Sequence, residues 1–150
     1  MKRNVLFVCV QNSARSQMAE AFLNEMCPED FSAQSAGLEP GSLNPLAVEA
    51  MREIDIDISH KETKSVFDLF KSGEHFSFVV TVCDRTSADR CPVFPGHAWR
   101  LHWSFADPAA LAGTWEERLA ATRTIRDDIR ETILAWCRES CSAAPLGGAG

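Results

Sequence analysis

An apolar run near the N-terminus ends at a cysteine, and a short polar loop and helix-forming residues follow at once. Residues 5–10 read Val-Leu-Phe-Val-Cys-Val, residues 11–16 are small or polar apart from one arginine, and residues 17–22 favour a helix. A strand, a tight loop and a helix are therefore predicted in direct succession. A loop in this position, at the N-terminus of a helix, is suited to binding an anion.

The loop carries a Cys-x5-Arg pair, Cys9 and Arg15, followed by Ser16. If the loop wraps a tetrahedral oxyanion, its backbone N–H groups, the helix N-terminus and the Arg15 guanidinium all point at one anion. The same groups stabilise a thiolate, so Cys9 is predicted to be a nucleophile. A buried cysteine with an unrelated arginine is the alternative, and the strand–loop–helix context favours a site. This oxyanion loop consists of Val10, Gln11, Asn12, Ser13, Ala14 and Arg15.

Charge and cysteine content restrict the class of protein. The chain has 150 residues and a formal charge of −6, which argues against a nucleic-acid or membrane partner because their binding surfaces are generally basic. The N-terminal apolar run is too short for a signal peptide. Without an export signal, the six cysteines are predicted to be thiols rather than a disulfide framework, and the location to be cytoplasmic. Catalytic or regulatory redox use of these thiols stays open.

The remaining strands and helices alternate along the chain. Three further segments have strand composition, and they are residues 31–37, 76–82 and 98–103. Three segments have helical patterns, and they are residues 45–54, residues 66–70 and the segment that starts at Thr114. The alternation predicts an α/β fold with a four-stranded parallel sheet, in the order 2-1-3-4, flanked by helices. We expect a single domain over residues 1–141 and a flexible tail over residues 142–150.

Two cysteines follow neighbouring strands of that sheet. Cys9 ends the first strand and Cys83 follows the third. In the predicted order, the carboxyl ends of these strands form the point at which the strand order reverses, where α/β proteins bind ligands. Cys9 and Cys83 are thus expected to face each other across a crevice.

Several motifs together resemble thioredoxin-coupled arsenate reductases built on the low-molecular-weight protein tyrosine phosphatase fold. The resemblance covers about residues 3–138. Its motifs are Cys9 to Glu20, Ser35-Ala36-Gly37, Asn44-Pro45, Asp57-Ile58-Ser59, Val79 to Cys83, Cys91-Pro92, His102-Trp103 and Asp107-Pro108. It implies a monomer that acts on arsenate.

The resemblance also assigns roles at matching positions. Cys9 is implied as nucleophile, Arg15 as oxyanion clamp and Ser16 as hydrogen-bond partner of the thiolate. Asp107 is implied as general acid, and Asn12 as the residue that holds the loop in shape. Cys83 and Cys91 are implied as redox partners. Arsenate reductases of this type need no metal and no organic cofactor, and their electrons come from thioredoxin, with glutaredoxin or glutathione as the alternative donor.

Three thiols suit the reduction of arsenate chemically. A Cys9–arsenic adduct would return arsenate if it were hydrolysed, whereas attack of a Cys83 thiolate on the Cys9 sulfur leaves the electron pair on arsenic and releases arsenite. Cys91 can then attack Cys83 and free Cys9. The alternative is that these residues have no catalytic role. Cys83 would then be a small residue at a strand end, Cys91 a loop thiol and Asp107 a turn-forming residue.

Two other functions are compatible with the same residues. A low-molecular-weight phosphatase would use Cys9, Arg15 and Asp107 and hydrolyse a phosphocysteine with water. A module that senses oxyanions or thiol state would use Cys83 and Cys91 without catalysis. The chain has no tyrosine, and Ala109-Ala110 follow Asp107-Pro108 where tyrosine phosphatases of the family carry tyrosines. This difference favours a small inorganic oxyanion.

Two further expectations concern residues outside the loop. Packing or exposed-thiol roles are predicted for Cys27, Cys137 and Cys141, and no histidine has metal-ligand spacing.

Family members that bind potassium beside the loop do so with Asn, Glu, Ser and Asp. Here Asn12, Glu20 and Ser35 match, but Lys64 stands near the aspartate's place. We therefore expect the Lys64 ammonium to replace the cation.

Overall fold

A computed structural model describes residues 2–12, 14–83 and 98–142. These residues contain four strands and four α-helices. The strands are β1 (Arg3–Cys9), β2 (Phe31–Gly37), β3 (Phe78–Thr81) and β4 (Trp99–His102). The helices are α1 (Arg15–Met26), α2 (Pro45–Arg52), α3 (Val66–Lys71) and α4 (Trp115–Ser142), with a 3-10 turn at Pro108–Ala110.

The strands form one parallel sheet in the order β2-β1-β3-β4, so the predicted fold and strand order are confirmed. β1 is central, and Val5 to Val8 are fully buried because helices cover both faces. Cys9 pairs with Gly37 of β2, and Val8 pairs with Thr81 of β3. The register therefore places the ends of three strands at the same edge of the sheet.

The larger part of the core lies between the sheet and helices α1 and α4. Phe7 and Val80 of the sheet pack in this cluster with Phe22 of α1 and Ile129 of α4. A smaller cluster on Leu6 and Val8 includes Val66 of α3. The two clusters alternate along β1, as expected when successive side chains point to opposite faces of a strand.

Local sequence signals determine where two helices begin. The Asn44 side chain accepts a hydrogen bond from Leu46 N at 2.8 Å, with Pro45 in the first turn of α2. At the start of α4, Thr114 Oγ1 accepts from Glu117 N, and Glu117 Oε1 accepts from Thr114 N. Hydrogen bonding to the Glu117 carboxylate from Thr114, from its backbone N–H first and then from its side chain, lowers the pKa of Glu117. The predicted apolar spacing of α4 is also present, since Ile125, Ile129 and Ile133 are buried.

Helix α2 is shorter than the prediction of residues 45–54. It ends at Arg52, because Asp55 has a φ of 64° and Ile56 N donates back to Met51 O at 3.0 Å. At the other end of the chain, α4 extends to Ser142, the first residue of the predicted tail. Residues 143–150 of that tail lie outside the described residues.

The prediction that the cysteines are all thiols is wrong for one pair. Cys27, next to the end of α1, forms a disulfide with Cys137 of α4, and their Cα atoms are 6.7 Å apart. The sequence does not indicate this pairing, because 110 residues separate the two cysteines and only the packing of α1 against α4 brings them together. Cys9 and Cys83 are buried thiols, while Cys91 and the Cys141 side chain lie outside the described part of the chain.

None of the helices within the described residues combines the length and the apolar character needed to cross a bilayer.

Candidate active site

The oxyanion loop follows Cys9, which ends β1 and is 2% exposed. Asn12 has a φ of 56°, a left-handed conformation that asparagine adopts more readily than most residues. This conformation turns the chain so that Asn12 N donates to Cys9 Sγ at 3.1 Å. The sulfur therefore accepts a hydrogen bond from the loop's own backbone.

Ser16, in the first turn of α1, makes a second contact with the sulfur. Its Oγ lies 2.9 Å from Cys9 Sγ and accepts a hydrogen bond from Asn12 Nδ2 at 2.8 Å. Because the Asn12 amide donates to this oxygen, the hydroxyl hydrogen of Ser16 can point at the sulfur. The structure thus brings together Cys9, Asn12 and Ser16 as the resemblance implied.

The Asn12 side chain also joins the loop to the segment before α3. Its Oδ1 accepts from Lys64 N at 2.9 Å and from Gln17 Nε2 at 3.2 Å, and Gln17 Nε2 also donates to Glu62 O at 3.1 Å. Asn12 and Gln17 are almost completely buried. Buried polar side chains of this kind hold their partners in place because an unpaired group would be costly. Gln17 was not among the predicted site residues.

β2 and the residues after it also support the loop. Glu39 N donates to Val10 O at 2.7 Å, and Gly41 N donates to Gln11 O at 2.9 Å. At Gly37, a Cβ atom would lie 2.7 Å from Asn12 N, closer than real Cβ contacts allow. Glycine at this position therefore permits the close approach of β2 to the loop.

Arg15 and Asp107 lie at the mouth of the loop. The Arg15 side chain is almost fully buried, its Nη1 donates to Phe105 O at 3.2 Å, and its Nη2 lies 3.5 Å from Asp107 Oδ2. Asp107 is more exposed, and its Oδ1 accepts from Ala109 N at 2.9 Å at the start of the 3-10 turn. Asp107 is therefore held near the arginine while one face of the carboxylate stays accessible.

A cavity of about 230 Å³ lies between these groups. Its lining includes Cys9, Ala14 and Arg15 from the strand–loop–helix segment, and Asp107, Ala109 and Ala110 from the segment after β4. A sulfur nucleophile, a guanidinium and a carboxyl group thus face the same space. This arrangement can bind a small oxyanion, attack its central atom and donate a proton to a departing oxygen.

Cys83 follows β3 at the same edge of the sheet. It is 1% exposed and belongs to the same apolar cluster as Cys9. Val82 N donates to Val8 O at 2.8 Å, so the segments that carry the two cysteines still run side by side at this point. The expected juxtaposition of Cys9 and Cys83 is consistent with this placement. The third predicted thiol, Cys91, and the loop residue Ser13 lie outside the described residues.

The expectation for Lys64 is wrong. Its ammonium lies 3.4 Å from Gln34 Oε1, whereas Lys61 forms the ion pair with Glu20. The Glu20 carboxylate is nearly buried and also accepts from Ser35 Oγ at 2.7 Å. The sequence could not distinguish the two lysines, because which of them reaches Glu20 depends on the path of the segment before α3. Among the described residues, no group of three or more His, Cys, Asp or Glu side chains could hold a metal ion.

Comparison with known proteins matches the part of the chain that carries this site to one family. A sequence profile described as "Low molecular weight phosphotyrosine protein phosphatase" matches residues 4–139. The match begins in β1 and ends in α4, so it includes the whole of the oxyanion loop, Cys83 and Asp107.

Two relatives named arsenate reductase match most of the chain. "Arsenate reductase" of Shouchella clausii (strain KSM-K16) is 43% identical over 133 residues, which cover 88% of this chain and 93% of that protein. "Arsenate reductase" of Bacillus subtilis (strain 168) is 41% identical over 126 residues, covering 83% and 88%. A solved structure described as "An arsenate reductase in the phosphate binding state" is 28% identical, with a TM-score of 0.71, and covers 93% of this chain and 98% of that chain.

Proposed function

This chain belongs to the low molecular weight phosphotyrosine protein phosphatase family, and from that premise we propose that it reduces arsenate to arsenite in the cavity above the oxyanion loop. The observation that carries the proposal is the second buried thiol, Cys83, at the sheet edge where Cys9 ends β1. Phosphoester hydrolysis needs one thiol, whereas reduction needs a second. The relatives named arsenate reductase support the same choice.

Arsenate binds in this proposal with its oxygens directed at the loop N–H groups and at the Arg15 guanidinium. The N-terminus of α1 adds its partial positive charge at the same point. Arsenate and phosphate have the same tetrahedral shape and charge, and the solved relative in a phosphate binding state supports an oxyanion site in this fold.

The first chemical step is attack of the Cys9 thiolate on arsenic. A sulfur–arsenic bond forms while one arsenic–oxygen bond breaks, and Asp107 in its carboxylic acid form protonates the departing oxygen as water. The presence of Asp107 in the lining of the same cavity as Cys9 supports this role, since a general acid has to reach the departing oxygen.

The second step transfers electrons to arsenic. The Cys83 thiolate attacks the Cys9 sulfur, a Cys9–Cys83 disulfide forms, and the electron pair of the sulfur–arsenic bond stays on arsenic, which leaves as arsenite. Cys91 then attacks Cys83 and gives a Cys83–Cys91 disulfide, which an external dithiol reduces. The role of Cys91 rests on the sequence resemblance.

Thioredoxin is the donor that we propose for the last step, with glutaredoxin or glutathione as the alternative. We also propose that the protein works as a monomer in the cytoplasm, where these reductants are present. Comparing thioredoxin with glutaredoxin and glutathione in the same assay identifies the donor.

Hydrolysis of phosphate monoesters is the second candidate function, because Cys9, Arg15 and Asp107 face one cavity. Small residues, Ala109 and Ala110, line the cavity where an aryl group would have to be gripped. We therefore expect slow hydrolysis of small aryl phosphates beside efficient reduction of arsenate.

A pair of assays on three proteins tests the proposal. The wild type, Cys9→Ser and Cys83→Ser are assayed for arsenite release with thioredoxin, thioredoxin reductase and NADPH, and for hydrolysis of p-nitrophenyl phosphate. Cys9→Ser should lose both activities, because a neutral hydroxyl is a much poorer nucleophile than a thiolate. Cys83→Ser should lose only arsenite release. Normal arsenite release from Cys83→Ser, or none from the wild type, would overturn the proposed function.

A further inference from the structure

We propose that Cys27 and Cys137 are a second redox couple, separate from the thiols at the cavity. Oxidation of this couple links the C-terminal part of α4 covalently to the end of α1. The proposal does not depend on the reaction at Cys9. It rests on the geometry of the two cysteines, on their distance from the cavity and on their unequal exposure.

The backbone on both sides of the pair is held in position. Cys27 N donates to Leu23 O at 2.9 Å, and Cys27 O accepts from Phe31 N at 3.1 Å. Cys137 lies on α4, one turn after the buried Ile133. Their Cα atoms are 6.7 Å apart, inside the limit of about 7 Å for a disulfide. The two cysteines can therefore join or separate without a rearrangement of either helix.

Aromatic packing holds the part of α4 that carries Cys137 against the sheet, independently of the two cysteines. The ring of Phe31, which begins β2, lies 4.8 Å from the ring of Trp136, the neighbour of Cys137. The Trp136 ring also contacts Phe78 at 5.0 Å and Trp103 at 5.8 Å. A reduced pair thus remains poised for oxidation, because the surrounding contacts do not depend on the sulfur–sulfur bond.

The couple is remote from the candidate active site. Phe31, four residues after Cys27, pairs with Arg3 at the start of β1, whereas Cys9 pairs with Gly37 at the other end of the same two strands. Six residue steps along a strand span about 20 Å. Cys27 and Cys137 therefore cannot exchange disulfides with Cys9 inside the folded protein, and the couple can change state while Cys9 stays reduced.

Exposure sets the order of oxidation. Cys137 is 2% exposed, whereas Cys27 is half-buried, so an external disulfide reaches Cys27 first. The Cys27 thiolate attacks a low-molecular-weight disulfide such as oxidised glutathione, forming a mixed disulfide and releasing one glutathione. The Cys137 thiolate then attacks the Cys27 sulfur and releases the second glutathione. Two protein thiols are oxidised and one glutathione disulfide is reduced to two thiols.

The consequence of oxidation is a more stable fold. The bond crosslinks residues 110 apart in the sequence, which removes many conformations from the unfolded chain. A crosslink of this length is expected to raise the melting temperature by about 5 °C or more in a chain of this size. Oxidising conditions, which inactivate a thiol-dependent site, would at the same time protect the fold.

The experiment isolates the couple by removing the catalytic thiols. In a Cys9→Ser/Cys83→Ser/Cys91→Ser background, the protein is equilibrated with reduced or oxidised glutathione, its disulfides are mapped by peptide mass spectrometry, and its Tm is measured. A Cys27–Cys137 disulfide and a higher Tm are expected in oxidised glutathione. Adding Cys27→Ser should abolish both, while adding Cys141→Ser, the matched control, should leave both unchanged.

Three results would overturn the proposal. They are the absence of a Cys27–Cys137 peptide from the oxidised background protein, an equal Tm in the two buffers, and loss of the Tm difference in the Cys141→Ser control. Since Cys27 is half-buried, serine at this position is not expected to prevent folding, and circular dichroism of the reduced variant verifies this point.

Discussion

The Arg15 guanidinium lies 3.5 Å from the Asp107 carboxylate, although the two residues come from opposite halves of the chain. Arg15 is placed by the first turn of α1, and Asp107 by the turn at Pro108–Ala110 that packs against α4. The pair therefore joins the loop that binds the oxyanion to the residue that would protonate it. It also positions Asp107 before any substrate is present.

Replacing Asp107 by alanine tests whether this carboxyl group is a general acid. Hydrolysis of aryl phosphates should fall by about 10²-fold or more for poor leaving groups and much less for good ones, because only poor leaving groups need the proton. The measurement is kcat for a series of substituted phenyl phosphates. Equal losses across the series would mean that Asp107 acts only through its contact with Arg15.

Removing Cys91 should separate the two halves of the proposed reaction. Arsenite release needs Cys9 and Cys83, so Cys91→Ser should release about one equivalent of arsenite per enzyme and then stop. Rapid quenching with radiolabelled arsenate measures this burst. If Cys91→Ser gives no burst while the wild type does, then Cys91 acts before arsenite release and the proposed order is incorrect.

Lys61 should matter more than Lys64. Lys61→Ala leaves the nearly buried Glu20 carboxylate without its ammonium partner, which should lower the free energy of unfolding by up to about 3 kcal/mol. We also expect potassium to restore part of that stability, since a cation can take the vacated position. Chemical denaturation with and without potassium chloride, matched with sodium chloride, provides the measurement.

Lys64→Ala is the matched control for this experiment. It keeps the backbone N–H that donates to Asn12 and removes an ammonium that contacts Gln34. Equal effects of the two substitutions, or no effect of Lys61→Ala, would show that the ion pair with Glu20 does not support the site.

Gly37→Ala should damage the loop, whereas Gly41→Ala should not. The new methyl group at residue 37 would lie 2.7 Å from Asn12 N and 2.8 Å from Val10 O, so the loop would have to move. We expect a loss of about 1–3 kcal/mol in stability together with a large loss of activity. At residue 41 the nearest atoms belong to the Gln11 side chain at 3.5 Å, an ordinary contact. Similar Tm and kcat/KM values for the two variants would contradict this account of β2.

Acid should weaken the contact between α2 and α4. Hydrogen bonds from Arg123 are the main cause of the lowered pKa of Glu53, and Arg126 contributes further. A lowered pKa in the folded state means that the carboxylate stabilises the fold above its unfolded-state pKa. This contribution is lost as the pH falls through the folded-state pKa.

Glu53→Gln therefore should be less stable than the wild type at pH 7, and the difference should shrink as the pH falls below about 4.5, the ordinary value for glutamate. Urea denaturation at a series of pH values between 7 and 3 measures the difference. A constant difference over this range would show that the ionisation of Glu53 does not contribute to stability.

Local sequence determined the order of the strands and helices and the position of the loop. The apolar run from Val5 to Val8, the turn residues after Cys9 and the caps at Asn44 and Thr114 act over a few residues, so their effects can be read without knowing the fold. Alternation of strands and helices then led to the parallel sheet. The same local signals made Cys9 and Arg15 recognisable as a pair.

Only the tertiary structure decided which distant side chains meet. Lys61 rather than Lys64 reaches Glu20, Asp107 reaches Arg15, and Cys27 joins Cys137, because the packing of helices and loops on the sheet sets those distances. Gly37 shows the same dependence. A side chain is excluded at this position because β2 approaches the loop closely. Contacts of this kind follow from the path of the whole chain, and short stretches of sequence carry no information about them.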